Sequence, residues 1–238
     1  MKEIELKRMW ALLEKYFCVD NVLEVGMGVQ NCEEAITKNA KNIERITISK
    51  EILQAVKKEY SHSNINYKLM NVEKLDYPDR FFDVVFSTGY HEFSFGQHGF
   101  DVHKKALGEM YRVLSNNGVF VFVEPKESSV TNELFKVFNA NENHANRIKK
   151  SFSILSEFIK DNDMKIELNG ETKVSCEFDS EKQYIDTMLD WWNDVKIPKD
   201  DKEKDIMSSK IRDILSDAGM LKGLRIFEDT QFLVIRKA

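Results

Sequence analysis

An α/β chain built on a mostly parallel sheet is predicted by three observations. Apolar, strand-like runs alternate with helix-patterned segments, five runs within the first 125 residues. The first run, Val22 to Val25, ends in Gly26-Met27-Gly28 and leads into a helix-compatible segment, Asn31 to Ala40. After residue 125 the alternation stops; helical segments follow, and two short β-rich runs end the sequence.

Taken in order, Ile4, Leu6, Met9, Trp10, Leu13 and Phe17 stand at helical spacing among charges, which predicts an amphipathic helix. The glycine turn comes next. Its glycines lack a Cβ, so backbone there can approach a ligand closely. The free N–H groups of a following helix would point at the same place. Ile43 to Ile48 reads as the second strand, and Ile52, Leu53, Val56 and Tyr60 mark a helix. Ile65 to Met70 is the third strand, ending at Asn71. The turn Tyr77-Pro-Asp-Arg80 introduces the fourth, Phe81 to Phe86. Val102, Ala106, Met110, Val113 and Leu114 line one helix face, and Asn116-Asn117-Gly118 stops that helix, with Gly118 as its left-handed cap. Val119 to Val123 is apolar throughout, as a central parallel strand should be.

Helices are expected again at Leu134 to Phe138, around Ile148 to Ile159 and at Tyr184 to Trp192, with a short strand near Thr172 to Phe178. The charged stretch Lys199 to Asp205 reads as a solvated linker. A helix through Ile206, Ile211, Ile214 and Leu215 closes at Gly219. Leu224 to Phe227 and Phe232 to Ile235, separated by Glu228-Asp-Thr-Gln231, are expected to form an antiparallel hairpin.

Composition narrows the function classes. The 238 residues carry a net charge of −5 and no dense Lys/Arg block, which makes nucleic acid an unlikely partner. The longest apolar run, Val119 to Val123, is too short to span a bilayer, and Met1 to Arg8 is charged and lacks a signal-peptide core. Three scattered cysteines without a Cys-x-x-Cys pair read as reduced thiols, so a cytoplasmic protein without a structural zinc is expected. Oligomeric state is left open.

Several strings taken together resemble the class I S-adenosylmethionine-dependent methyltransferases, particularly the group acting on small molecules. They are Val22-Leu-Glu-Val-Gly-Met-Gly28, Ile46 to Leu53, Met70 to Leu75, Phe81-Phe-Asp-Val-Val85 and Leu107 to Pro125, the last containing Glu-x-x-Arg-Val-Leu, Asn-Gly and Glu-Pro. The resemblance implies a Rossmann-like seven-stranded sheet, mostly parallel, ending in an antiparallel hairpin, with helices on both faces. It makes residues 1–125 and 201–238 the core and residues 126–200 a helical cap inserted after strand five, over the substrate site.

The same resemblance implies S-adenosylmethionine as cofactor, S-adenosylhomocysteine as product, and Glu24, Gly26, Met27, Gly28, Thr47, Ile48, Asn71, Val72, Ser87 and Thr88 as cofactor-binding residues. Glu24 would hold the loop or the cofactor's amino group, or simply satisfy loop N–H groups. Asn71 would accept from the adenine amino group through its carbonyl, with Val72 against the ring. Tyr90, His91, Trp191 and Trp192 would meet a small-molecule methyl acceptor. His91 is the candidate general base, because imidazole titrates near neutrality; the alternative is a packed histidine. The aromatics of the cap, Phe178, Tyr184, Trp191 and Trp192, line the acceptor pocket or form the cap's own core. His91, Glu92, His98 and His103 lack a convincing ligand spacing, so no metal is expected.

Two positions depart from the family pattern. Gln30 replaces a third glycine, and Thr47 stands where an acid usually accepts from the ribose hydroxyls. Losing a charge-assisted hydrogen bond, about 1.5–3 kcal/mol, corresponds to a roughly tenfold to hundredfold weaker affinity. These departures keep a non-catalytic protein of the same fold as an alternative. A nicotinamide-dependent oxidoreductase fails its fingerprint at Asn31 and at the missing acid after the turn.

Overall fold

The computed structural model describes residues 6–26, 36, 38–59, 63–90, 93, 99–139, 144–191, 196–221 and 225–238. They form α1 (Leu6–Leu13), a 3-10 turn (Glu14–Tyr16), β1 (Asn21–Val25), β2 (Asn42–Thr47), α2 (Lys50–Glu59), β3 (Ile65–Leu69) and β4 (Phe82–Thr88). Then come α3 (Asp101–Val113), β5 (Leu114–Pro125), α4 (Val130–Phe138), α5 (His144–Asp161), β6 (Lys165–Glu177), α6 (Glu181–Trp191), α7 (Asp201–Asp217) and β7 (Arg225–Arg236).

The seven strands make one sheet in the order β3-β2-β1-β4-β5-β7-β6. β1 to β5 pair in parallel, and the C-terminal strands are antiparallel, as the resemblance implies. The chain first steps outward from β1 to β3, then returns to lay β4 on the other side of β1. That reversal leaves a crevice at the carboxyl ends of β1 and β4, where open α/β sheets take ligands.

Two compact units make up the chain: residues 8–124, 150–170 and 231–238, and residues 1–7, 125–149 and 171–230. The core of the first follows from strand alternation. Leu23, Val25, Ile46, Val85, Phe120 and Phe122 are buried in one cluster with Ala106, Leu107 and Met110 of α3. On the opposite face Phe86 takes the edges of Trp10 and Phe17, with ring centroids 5.7 and 5.6 Å apart. In the second unit α4 and α6 both pack on α7. Its interior includes Phe135 stacked on His144, whose Nδ1 lies 2.6 Å from Asn132 Oδ1, and Phe178 edge-on to a buried Tyr184 at 4.8 Å.

Four local expectations change. α3 stops at Val113, and the left-handed residue after it is Asn117 (φ 63°), not Gly118. Asparagine tolerates that conformation through local hydrogen bonding. Gly118 is small for another reason: a Cβ there would lie 2.7 Å from Leu114 Cδ1 and 3.0 Å from Asp83 O. β7 is one strand from Arg225 to Arg236, so the two runs expected as hairpin arms are joined. Glu228-Asp-Thr-Gln231 contains no glycine or asparagine to supply a tight turn. β6 begins at Lys165, earlier than expected; it lies at the sheet edge, and Lys165 to Glu167 are exposed, so the usual one-sided apolar alternation is absent. Finally, Asp200 is the N-cap of α7, accepting from Glu203 N at 2.8 Å, while Glu203 accepts from Lys199 N. The charged stretch is therefore a capped helix start rather than a linker.

Candidate active site

Gly26 follows β1 with φ +82°, a conformation natural only to glycine, and its N–H donates to Ile46 O of β2 at 3.1 Å. Met27, Gly28 and Gln30 lie outside the described residues, as do His91 and Trp192; Trp191 ends α6, and its side chain is likewise outside them.

Two residues before the turn, Glu24 is 2% exposed and faces Arg45, also 2% exposed, across the β1–β2 register. Arg45 Nη2 lies 2.9 Å from Glu24 Oε1 and Nε 2.8 Å from Oε2, a forked pair. The guanidinium also stands 5.6 Å from the Tyr67 ring. Glu24 thus ties β1 to β2 immediately below the turn.

At the end of β2, Thr47 is buried and its Oγ1 accepts from Ser49 N at 3.2 Å, leaving the hydroxyl proton to donate. Ile48, next along, is 73% exposed. Ile52 and Leu69, the latter paired with Thr47, are further exposed apolar residues at the carboxyl ends of β2 and β3. Asn71 Oδ1 accepts from Glu73 N at 2.9 Å, which leaves that oxygen one further lone pair. Val72 is buried beside it.

The segment after Asn71 is held from α3. Arg112 donates to the carbonyls of Leu75 and Tyr77 at 2.8 Å each, and Glu109 accepts from Leu75 N at 2.8 Å. Glu109 and Arg112 also pair with each other, and that partner holds the Glu109 carboxyl below its usual range. These are the Glu and Arg of the Glu-x-x-Arg-Val-Leu string, so that string has a mechanical reading: it anchors the loop that carries Asn71 and Val72.

Across the crevice, Ser87 is fully buried and Thr88 is 9% exposed, and neither hydroxyl has a hydrogen-bond partner among the described residues. Buried hydroxyls are ordinarily paired. Gly89 follows with φ +109°. Gly89 N and Tyr90 N both donate to Glu124 Oε1, at 3.0 and 2.6 Å. Glu124, 1% exposed at the end of β5, therefore shapes the loop after β4. Tyr90 is fully buried among Phe93, His103 and Phe122, with ring centroids 5.4, 4.6 and 5.2 Å away. Burial, with Glu124 nearby, pushes its phenol far above the usual range, so it stays protonated.

Sequence reasoning missed Arg45 and Glu124 as residues that brace the site. Glu124 stood in the quoted Glu-Pro string. Arg45 gave no signal, because its partner lies 21 residues away and only the strand register joins them.

Gly26 in a left-handed turn, two buried hydroxyls without a partner among the described residues, and an exposed apolar edge suit a ligand with a polar chain and a flat apolar ring. No described helix is long and apolar enough to cross a membrane. Residues 23–122 match the family described as "Methyltransferase domain". Among curated proteins, none matches the chain in sequence. Among solved structures, protein BH2331 of Bacillus halodurans C-125 is similar over 97% of each chain, at 14% identity and a TM-score of 0.60. N-methyltransferase NodS of Bradyrhizobium japonicum WM9 is similar over 98% of this chain and 96% of its own, at 13% identity and a TM-score of 0.56. The [4+2]-cyclase SpnF is similar over 97% of this chain and 80% of its own, at 14% identity and a TM-score of 0.57. At such identities the structural likeness is one of fold. Residues 23–122 are thus similar to a methyltransferase domain, and the chain shares the fold of these solved structures.

Proposed function

We propose that the chain transfers the methyl group of S-adenosylmethionine to a small-molecule acceptor by in-line displacement. The observation that carries this reading is the crevice itself: Gly26 turns left-handed at the end of β1, beside the end of β4, where the strand order reverses. When bound, the cofactor supplies a methyl group already activated on a positively charged sulfur. The chain's own residues bind, orient and exclude water. Gly26 and Gly28 admit the cofactor's chain. Thr47 donates to a ribose oxygen. Ile48 and Val72 would flank the base, and Asn71 would accept from its amino group through the carbonyl oxygen. Glu124 holds Gly89 and Tyr90 in place; Tyr90 is fully buried and packs beneath the loop, and His91 would meet the acceptor. His91 takes the acceptor's proton if the attacking group carries one. Methyl transfer is supported by the likeness to NodS, whose name gives it as an N-methyltransferase.

Calorimetric titration with S-adenosylmethionine and S-adenosylhomocysteine tests the reading. Binding of both in the micromolar range is expected; no binding of either at millimolar concentration overturns it and leaves a protein that kept only the fold. Thr47→Asp adds the missing carboxylate and should tighten cofactor binding by about tenfold. An unchanged Kd would mean that the ribose is already held otherwise. The likeness to SpnF favours a second reading, ring-forming chemistry on the same sheet. Release of S-adenosylhomocysteine with an acceptor panel separates the two, since a cyclase leaves the methyl group in place.

A further inference from the structure

The two edges of the sheet differ in length. β3, at one edge, has five residues; β6, at the other, has thirteen and no proline. An edge strand turns one row of backbone donors and acceptors away from its neighbour, so a long edge is a template for another strand. Among the described residues, no backbone hydrogen bond from a turn or loop reaches Lys165 to Lys173. Short length, proline and charge are the usual means of blunting an edge, and of these β6 uses only charge.

Alternation puts Lys165, Glu167, Asn169, Glu171 and Lys173 on one face of β6. Glu167 is forked onto Arg236 of β7, Glu171 meets Lys126 at 2.5 Å, and Lys173 stands 3.7 Å from Asp229. Lys165 makes no ion pair among the described residues. The other face carries Ile166, 48% exposed, then half-buried Leu168, then Gly170, whose Cβ position is filled by the Phe232 ring.

The charged row reads the same in both directions, which decides how it meets its own copy. Laid antiparallel about Asn169, a second β6 would set Lys165 against Lys173 and Glu167 against Glu171, like charges throughout. Slid by two residues, so that Leu168 faces Leu168, the pairing changes sign. Lys165 then lies opposite the partner's Glu171, Glu171 opposite the partner's Lys165, and Glu167 opposite a neutral asparagine. On the other face, exposed Ile166 comes opposite the partner's Gly170, beside the ring that covers it. A slide the other way, about Gly170, would offer Lys173 a Glu167 already forked onto Arg236 and would put bare glycines at the centre. Opposite charges directly across a strand pair are favourable and like charges unfavourable, so one register stands out.

We propose that β6 is a self-pairing edge: two copies of the chain join antiparallel about Leu168, and the sheet continues from one into the other. A single strand pair is a small interface, so the dimer forms and dissociates with concentration.

Sedimentation velocity on the full chain tests this, and a dimer that grows with concentration is expected. Lys165→Glu puts like charges opposite each other at two symmetric places and should weaken the dimer by about tenfold. Glu171→Lys should do the same. Mixing the two variants sets opposite charges against each other at both places, and the mixture should associate within about threefold of the parent. Melts at low concentration, where the chains are monomeric, should match the parent for Lys165→Glu, which has no ion pair of its own to lose. Loss of an in-chain contact cannot be rescued by mixing, so the mixture separates pairing from folding. A chain that stays monomeric as concentration rises overturns the proposal. So does a dimer indifferent to Lys165→Glu, or a mixture as weak as its two components.

Discussion

Two buried carboxylates frame the crevice, and they are neutralised in opposite ways. On the β1–β2 side Glu24 meets a guanidinium from the neighbouring strand. On the β4–β5 side Glu124 meets two backbone N–H groups of the loop it shapes. Both side chains are about equally buried, at 2% and 1% exposed. An ion pair between side chains can be removed as a pair. A carboxylate that serves backbone donors cannot, because its partners are present in every variant. Glu24–Arg45 is thus a replaceable brace, whereas Glu124 is a fixed template for the loop after β4.

The largest expected effect breaks the brace on one side only. Arg45→Met takes the guanidinium from a buried carboxylate and should cost about 3–5 kcal/mol of unfolding free energy in urea. Combining it with Glu24→Met removes both charges and should return stability to within about 1 kcal/mol of the parent. A double variant as unstable as the single would erase the distinction drawn above.

Glu124→Ala should cost about 2–4 kcal/mol by leaving two N–H groups unpaired, and no partner substitution can restore it. Glu124→Gln keeps one accepting oxygen and should lose about half as much. If Glu124→Ala leaves the melt and cofactor affinity unchanged, the loop does not depend on it.

The smallest effect concerns a third, half-exposed carboxylate, Glu109, which has both kinds of partner, Arg112 and Leu75 N–H. Arg112 holds its folded-state pKa below the ordinary value of 4.5. Its contribution is therefore complete above that value and is lost as pH falls through the lower folded one. Glu109→Gln should flatten the acid limb of the stability curve by no more than about 1 kcal/mol. An unchanged acid limb would show that the Leu75 bond, rather than the charge, carries Glu109's role.

These contrasts also mark what was legible in the residues alone. β1, β4 and β5 were legible because both faces of these central strands are covered, which leaves short apolar runs. β6 was only partly legible because an edge strand need not alternate. Its Gly170 makes sense only once Phe232 of β7 is seen to fill the space a Cβ would take. The capped start of α7 hid in a charged stretch, since Asp200 and Glu203 read as solvated until their N–H partners are known. Within the site, the turn and the ends of β2, β3 and β4 followed from local order. Arg45 and Glu124 did not, because each acts across a strand pair that sequence spacing does not reveal.

The place of β7 has a consequence for how the protein comes into being. It is last in the chain, yet it lies between β5 and β6, and Lys237 reaches back to Gly118 O while its Nζ caps the Tyr111 and Leu114 carbonyls at the end of α3. During synthesis β5 is made more than a hundred residues earlier and waits with one row of backbone donors and acceptors open. A nascent chain, or one cut before residue 225, therefore presents a long unpaired edge, and the sheet closes only when its final strand is inserted.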